Sequence, residues 1–251
     1  MLSHWRRLFK GVVAAAVVTA LGPIASPVVG LPASPALAAS CPKVEAYDLV
    51  APQSSADGSS ASWTLRTLSA VDWSSGGFAS QVMWTSTNYK TPDQEWVEVG
   101  VTQGWEGSNA YTYYTAHGDY TVSPQVYAEA RWTSPLPVVG GSQTFTVVST
   151  STSGVGTYTA YVGSAAYSWN HHQPNTSYYA VGLESTCQDS RVDRTYVSTH
   201  SFRNRTTKYY TLPNSGTIKE VPAGPQGIAW CNSPVQFRFY LNSVLSTGSC
   251  S

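Results

Sequence analysis

The sequence has few charged residues and no long hydrophobic run beyond its first forty residues. Charged residues make up only 11% of the 251, and 14 basic side chains balance 14 acidic ones. A nucleic-acid-binding surface needs clustered Lys and Arg, so this composition excludes nucleic acid as the main partner. Because no second long apolar segment follows the N-terminal region, we also expect no stable membrane span.

Aromatic and turn-forming residues are abundant instead. The chain contains 16 Tyr, 9 Trp, 20 Gly and 15 Pro, and 42% of its residues are hydrophobic. That hydrophobic share is large enough for a packed core, and the Tyr, Trp, Thr and Val content favours strands over helices. The composition therefore predicts a folded, β-rich protein.

The first 39 residues have the three-part order of a bacterial secretory signal. Arg6, Arg7 and Lys10 precede the apolar segment 11–22, and small residues end at Ala39. This order predicts export, and the Arg pair leaves both twin-arginine and general secretory export open. Removal of residues 1–39 would leave 11 basic residues against 14 acidic ones. We thus expect a secreted, mildly acidic protein.

Four cysteines follow the predicted signal, at Cys41, Cys187, Cys231 and Cys250. An even number in an exported chain favours two disulfides, and four cysteines allow three connectivities. We favour Cys231–Cys250 and Cys41–Cys187, which would close a C-terminal loop and pin the mature N-terminus. Cys41 lies just past the cleavage zone, but Ala38 stands where a lipidation signal usually has Leu, so we do not expect a lipid anchor there.

Alternating apolar and polar residues recur from Ser62 to the C-terminus, separated by Gly- and Ser-rich turns. This pattern predicts an all-β fold of two packed antiparallel sheets in one domain over residues 62–251. Residues 40–61 are predicted to be a loosely held arm. Strands are predicted at 81–84, 96–101, 111–114, 126–132, 144–148, 157–162, 178–183, 194–197 and 237–241.

Two of these strands carry a glutamate among apolar residues. In 96–101, alternation places Val97, Val99 and Val101 on the core face and Glu98 on the other. In 180–184, Val181 and Leu183 share the core face, and Glu184 lies opposite. Each glutamate has a glycine two residues away, which often marks close approach of a ligand. Two ordinary solvent-facing glutamates are the alternative.

The same motifs resemble those of the glutamic peptidases of the eqolisin and neprosin type. The resemblance covers about residues 95–186 and is carried by Glu98-Val99-Gly100-Val101, Tyr113-Tyr114-Thr115, Tyr158-Thr159-Ala160-Tyr161 and Gly182-Leu183-Glu184. It implies a concanavalin-like (jelly-roll type) sandwich, with Glu98 and Glu184 as a catalytic pair facing each other across a concave sheet. Eqolisins have Gln at the first position, and here Gln103 follows Glu98 by five residues.

If the resemblance extends to activity, the protein is an acid-active endopeptidase that needs no cofactor. Two nearby carboxyls share one proton, so one could activate water while the other donates to the oxyanion. We assign Glu184 as the base and Glu98 as the acid. Trp84, Trp96, Tyr113 and Gln103 would then line the substrate site.

Two other functional classes stay open. Aromatic strands with paired acids also suit a polysaccharide, so a carbohydrate-binding or glycan-active sandwich is the main alternative to a polypeptide substrate. A non-catalytic envelope or interaction protein is the other. Adjacent His171 and His172 point to opposite faces of a strand, and the cysteine spacing lacks a Cys-x-x-Cys pair, so no metal site is predicted.

The cysteine count yields a direct test. We expect no free thiol in the exported protein, because an oxidising compartment favours complete pairing. Thiol labelling of the unreduced, denatured protein should find no reactive sulfur. One stoichiometric label on Cys41 would contradict the predicted pairing.

Overall fold

The computed structural model consists of strands joined by turns and loops. It describes residues 28–31, 43–50, 56–69, 77–86, 94–104, 110–123, 125–149, 156–171, 178–186, 191–207, 210–211, 218–222, 227–233 and 236–241. The strands within these ranges are β1 Val28–Leu31, β2 Lys43–Val50, β3 Ala56–Thr64, β4 Leu68–Ser69, β5 Ala79–Ser86, β6 Glu95–Gln103, β7 Thr112–Asp119, β8 Val126–Trp132, β9 Ser142–Ser149, β10 Gly156–Val162, β11 Ala165–His171, β12 Tyr178–Thr186, β13 Arg191–Asn204, β14 Tyr210–Thr211, β15 Ile218–Pro222, β16 Gly227–Ser233 and β17 Gln236–Leu241.

The strands form two antiparallel sheets. Sheet A has the order β1-β8-β7-β6-β5-β12-β2-β15. Sheet B has the order β11-β10-β9-β3-β13-β17-β16, with β4 and β14 also paired to β13. No helix among the described residues is long and apolar enough to cross a membrane. The predicted all-β fold of two packed sheets is confirmed.

Side chains from both sheets meet in one hydrophobic core. Val97, Val99 and Val101 of β6 are fully buried there, as are Val181 and Leu183 of β12. Sheet B contributes larger side chains, including a stacked aromatic pair, Trp63 and Phe145, with ring centroids 4.1 Å apart. The predicted core face of both glutamate-bearing strands is therefore correct, and Glu98 and Glu184 lie on the opposite face of sheet A.

The predicted arm at residues 40–61 is wrong. Strand β2 pairs with β12 and β15 inside sheet A, and β3 pairs with β9 and β13 inside sheet B. Strand β3 also crosses the predicted domain boundary at residue 62. Its Ala- and Ser-rich sequence lacks the large apolar residues that indicate a buried strand. The small side chains instead let a central strand pack closely, and Ala56, Ser59 and Ala61 are fully buried.

Each of the nine predicted strands overlaps a strand of the structure. Three cysteines, the predicted cleavage site at Ala39 and most of the leader lie outside the described residues, while Cys231 belongs to β16. Strand β1, within the predicted leader, pairs with β8 at the edge of sheet A. The leader and the disulfide pairing therefore stay predictions.

The burial of β6 leads to a stability test with a matched control. Val99→Ala removes two buried methyl groups, and we expect it to lower the free energy of unfolding by about 2–3 kcal/mol. Val138→Ala, at a valine with 69% exposure, should change it by less than about 0.5 kcal/mol. Urea denaturation of both variants measures the difference, and equal effects would contradict the assigned core.

Candidate active site

The face of sheet A turned away from sheet B, which we call the outer face, carries a second cluster of buried side chains. Its members are Tyr47, Leu49, Val82, Trp84, Tyr114, Ala116 and Ala180, and half-buried Trp96, Tyr127 and Tyr178 pack against them. Alternation along the strands places Glu98 and Glu184 on this same face. Both are nearly buried, with 9% and 7% exposure, unlike ordinary solvent-facing glutamates.

Glu98 has small or apolar neighbours on both adjacent strands. Its register partner on β5 is Trp84, and its partner on β7 is Ala116. Beyond Ala116, the next residue in the same row is Glu129 of β8. Two strand spacings separate the two glutamates, about 10 Å between Cα atoms. Because Ala116 fills so little of the space between them, both carboxyl groups can extend toward each other above it.

Glu129 is held by two donors from its own strand. The Arg131 Nε donates to Glu129 Oε1 at 2.7 Å, and the Tyr127 hydroxyl donates to Glu129 Oε2 at 3.1 Å. Residues 127, 129 and 131 share a face because a strand alternates, which brings the three side chains together. The Arg131 contact is a charge-assisted hydrogen bond, and it favours the ionised form of Glu129.

The charges of both carboxyl groups raise the pKa values of two tyrosines, Tyr114 and Tyr127. Burial raises the pKa of Tyr127, and the charges of Glu129 and Glu98 raise it further. Burial likewise raises the pKa of Tyr114 well above its ordinary value, with contributions from Glu98 and Glu129, while a hydrogen bond with Ser80 opposes the rise. Both phenols therefore keep their protons, and the two carboxylates lie within electrostatic reach of the same hydroxyls.

A parallel row of aromatic residues lies beside the carboxyl row. Trp96 and Tyr127 flank Gly118 in the register, and their ring centroids are 5.9 Å apart. A Cβ atom at Gly118 would lie only 2.4 Å from Trp96 Cε2, so the Trp96 ring rests on a position that must be glycine. The half-buried rings of Trp96 and Tyr127 therefore lie next to the row of Glu98 and Glu129.

The backbone at Glu98 is fixed from the core side. The Thr115 hydroxyl donates to the Glu98 carbonyl at 2.6 Å, and Trp169 Nε1 of β11 donates to Thr115 Oγ1 at 3.0 Å. All of these groups are buried, so the hydrogen bonds are shielded from water. They link sheet B to the strand that carries Glu98.

Glu184 lies farther from Glu98 than the predicted pairing requires. The row of Glu98 reaches β12 at Ala180, four residues before Glu184. Two strand spacings across and four residues along correspond to about 16 Å between Cα atoms. Glu184 instead has Ser80 as its register partner on β5, and the Ser80 hydroxyl donates to the Glu184 carbonyl at 3.5 Å. The register therefore sets Glu129, not Glu184, in the row of Glu98.

Two of the four predicted substrate-site residues lie on the wrong face. Trp84 and Trp96 share the outer face with Glu98. Tyr113 belongs to the core between the sheets, where its hydroxyl donates to Gln143 Oε1 at 3.2 Å. Gln103 has the same parity along β6 as the core valines, so it does not face the carboxyl row. The alternation explains both errors, since Tyr114 rather than Tyr113 faces outward.

Glu129, Tyr127 and Arg131 were not predicted as site residues. The segment 126–132 was correctly predicted as a strand. Its alternation places Tyr, Glu and Arg on one face and Ala, Ala and Trp on the other, and this pattern could have indicated a polar site on that strand. Within the described ranges, no three His, Cys, Asp or Glu side chains are grouped to hold a metal ion.

Comparison with known proteins gives a structural likeness. No protein-family model and no curated protein sequence matches the chain. A crystal structure of scytalido-glutamic peptidase with a transition state analog inhibitor aligns with a TM-score of 0.53 and 11% identity, covering 80% of this chain and 98% of that one. A second structure of that peptidase, with a peptide-based transition state analog, gives a TM-score of 0.50, 12% identity and the same coverage. The chain thus has the β-sandwich fold of a glutamic peptidase.

Proposed function

We propose that the protein is an exported, acid-active peptidase in which Glu98 and Glu129 form the catalytic carboxyl pair. The observation that carries this proposal is the shared row of Glu98, Ala116 and Glu129, together with the two tyrosines whose pKa values both carboxylates raise. The likeness to scytalido-glutamic peptidase supports the peptidase class through the fold.

The surroundings of the two glutamates support different roles for them. Arg131 and Tyr127 favour ionised Glu129, so Glu129 is the general base. Glu98 shares its row with that carboxylate, and the like charge of an ionised Glu129 favours the neutral, protonated form of Glu98. Glu98 therefore remains the acid, as the sequence predicted, whereas the base moves from Glu184 to Glu129.

The reaction follows from these two states. Glu129 takes a proton from water as the water oxygen attacks the carbonyl carbon of a peptide bond. Glu98 donates its proton to the carbonyl oxygen and neutralises the developing oxyanion. When the C–N bond breaks, the proton held by Glu129 passes to the leaving nitrogen, and Glu98 recovers its proton from the collapsing hydroxyl. Both carboxyls return to their starting states.

A polypeptide fits the outer face because extended chains present alternating side chains to a sheet. Trp96 and Tyr127 give such a chain an apolar surface beside the carboxyl row. The same aromatic pair could stack on a sugar ring, which keeps the carbohydrate-binding alternative relevant. That alternative predicts no proteolysis and a polysaccharide affinity that falls when Trp96 is replaced by Ala.

Three isosteric variants test the pair. We expect Glu98→Gln and Glu129→Gln each to lower kcat/KM on an unfolded protein substrate by about 10²–10⁴-fold, since each removes a proton-transfer group. Glu184→Gln serves as the matched control and should keep activity within about threefold of wild type, because it lies outside the row. Circular dichroism and thermal melting verify that each variant folds.

Two results would overturn the assignment. Full activity in Glu129→Gln with loss in Glu184→Gln would return the pair to Glu98 and Glu184. Absence of proteolysis by the wild-type protein throughout the acidic range would remove the peptidase class.

The pH profile gives a second test. Activity needs ionised Glu129 and protonated Glu98, so it should be bell-shaped with an acidic optimum and vanish as Glu98 loses its proton. Tyr127→Phe removes a donor to the Glu129 carboxylate, which raises the pKa of Glu129. The acidic limb of kcat/KM should then move to higher pH, by up to about one unit. Tyr161→Phe in β10 is the control, and an unmoved limb in Tyr127→Phe would contradict the role of Glu129.

A further inference from the structure

Strand β8, which carries Glu129, has one edge covered by a short strand from the predicted leader. Strand β1 pairs antiparallel with β8, on the side away from β7, and is the terminal strand of sheet A. The register sets Leu31 opposite Glu129 and Val28 opposite Trp132. Strand β1 therefore pairs with residues 129–132 and covers four of the seven residues of β8.

The sequence explains why β1 is so short. Pro27 precedes the strand and Pro32 follows it. Proline lacks the N–H group that a strand donates to its neighbour, so it is found at the ends and edges of strands. The pairing stops after Leu31, before it reaches Ala128 of β8. The edge of β8 thus has room for a longer partner than the one that the leader supplies.

Removal of the leader at Ala39, as the sequence predicts, would take β1 with it. The buried residues Glu129 and Ala130 belong to the segment that β1 covers. A strand directs the N–H and C=O groups of alternate residues toward its two neighbours, so loss of β1 would leave the groups directed at it without partners. An edge of this kind binds another extended chain through the same backbone groups. The ligand that fits this edge is therefore an extended polypeptide.

The row of carboxyl groups ends at this edge. The row of Glu98, Ala116 and Glu129 continues onto β1 at Leu31. A residue bound at the Leu31 position would have its Cα about 5 Å from that of Glu129. The space above Ala116, between the two carboxyl groups, lies two strand spacings from β1, about 10 Å, which three extended residues span. A chain held at the edge of β8 is therefore long enough, with its next three residues, to reach the carboxyl pair.

We propose that the edge of β8 docks an extended segment of the polypeptide substrate by strand addition, in the position that β1 holds until the leader is removed. The segment pairs antiparallel with β8, and the residues that follow it reach Glu98 and Glu129. That the docked chain is a substrate rests on the proposed function. The strand addition itself rests on the pairing of β1 with β8.

A peptide that copies the leader strand tests the docking without any need for activity. The protein is the Glu98→Gln variant recovered from an exporting host, and mass spectrometry of the purified protein locates its N-terminus. The probe is a fluorescent peptide of residues 26–33, and fluorescence anisotropy measures its dissociation constant. We expect saturable binding to one site. Exported protein that retains residues 28–31, or no binding of the peptide, would overturn the proposal.

Two methylated peptides serve as matched controls for strand addition. Adjacent residues of a strand direct their N–H groups to opposite sides, so methylation of the Val29 amide or of the Gly30 amide, but not of both alike, blocks a hydrogen bond to β8. One of these two peptides should bind at least about tenfold more weakly than the unmodified peptide, and the other within about twofold of it. Equal binding by the two methylated peptides would contradict strand addition.

The link to catalysis has a separate readout. On the wild-type protein, the unmodified peptide should raise the KM for an unfolded protein substrate and leave kcat unchanged, because it competes with the substrate for the edge of β8. An unchanged KM at saturating peptide would overturn the proposal. Absence of proteolysis together with binding that depends on the methylated position would contradict the proposed function but not the docking edge. Dimers in sedimentation velocity that the peptide dissociates would assign the edge to a second copy of the chain instead.

Discussion

The close approach of side chains across β7 is the constraint on which the candidate site depends. Ala116 and Gly118 occupy alternate positions on the outer face of this strand, and their neighbours on β6 and β8 are long: glutamates beside Ala116, and Trp96 and Tyr127 beside Gly118. A larger residue at position 118 would displace the Trp96 ring, since even a Cβ would lie 2.4 Å from it. Small residues in the middle strand thus bring together groups from strands that are not hydrogen-bonded to each other.

Burial gives these groups their chemical character. A buried carboxylate without partners is costly, and Glu129 avoids that cost through Arg131 and Tyr127. Glu98 has Trp84 and Ala116 as its register partners on the adjacent strands. Two carboxyls in one row therefore experience different environments, and such a difference separates an acid from a base.

The sequence predicted local structure far better than it predicted which strands are neighbours. Alternation along each strand sufficed to place Val97 and Val181 in the core and Glu98 on the opposite face. Cross-strand register depends on how every turn sets the next strand, and a shift of four residues decides whether Glu98 has Ala180 or Glu184 in its row. For that reason the sequence identified a glutamate of the site and missed its neighbour Glu129. The Ala- and Ser-rich β3 was missed because close packing of small side chains leaves no hydrophobic signal.

The order of strands in sheet A also determines when the site can form. Strands β5 to β8 are consecutive in both sequence and sheet, so the row from Glu98 to Glu129 needs only neighbouring hairpins. Strand β3 instead pairs with β13, which lies far along the chain. The hydrogen bond from Arg203 to Asp57, for example, joins residues 146 positions apart. Contacts of such long range slow folding. A chain emerging from the ribosome therefore contains every strand of the carboxyl row, and also β9 and β10, which cover the core side of β6, before β13 is synthesised.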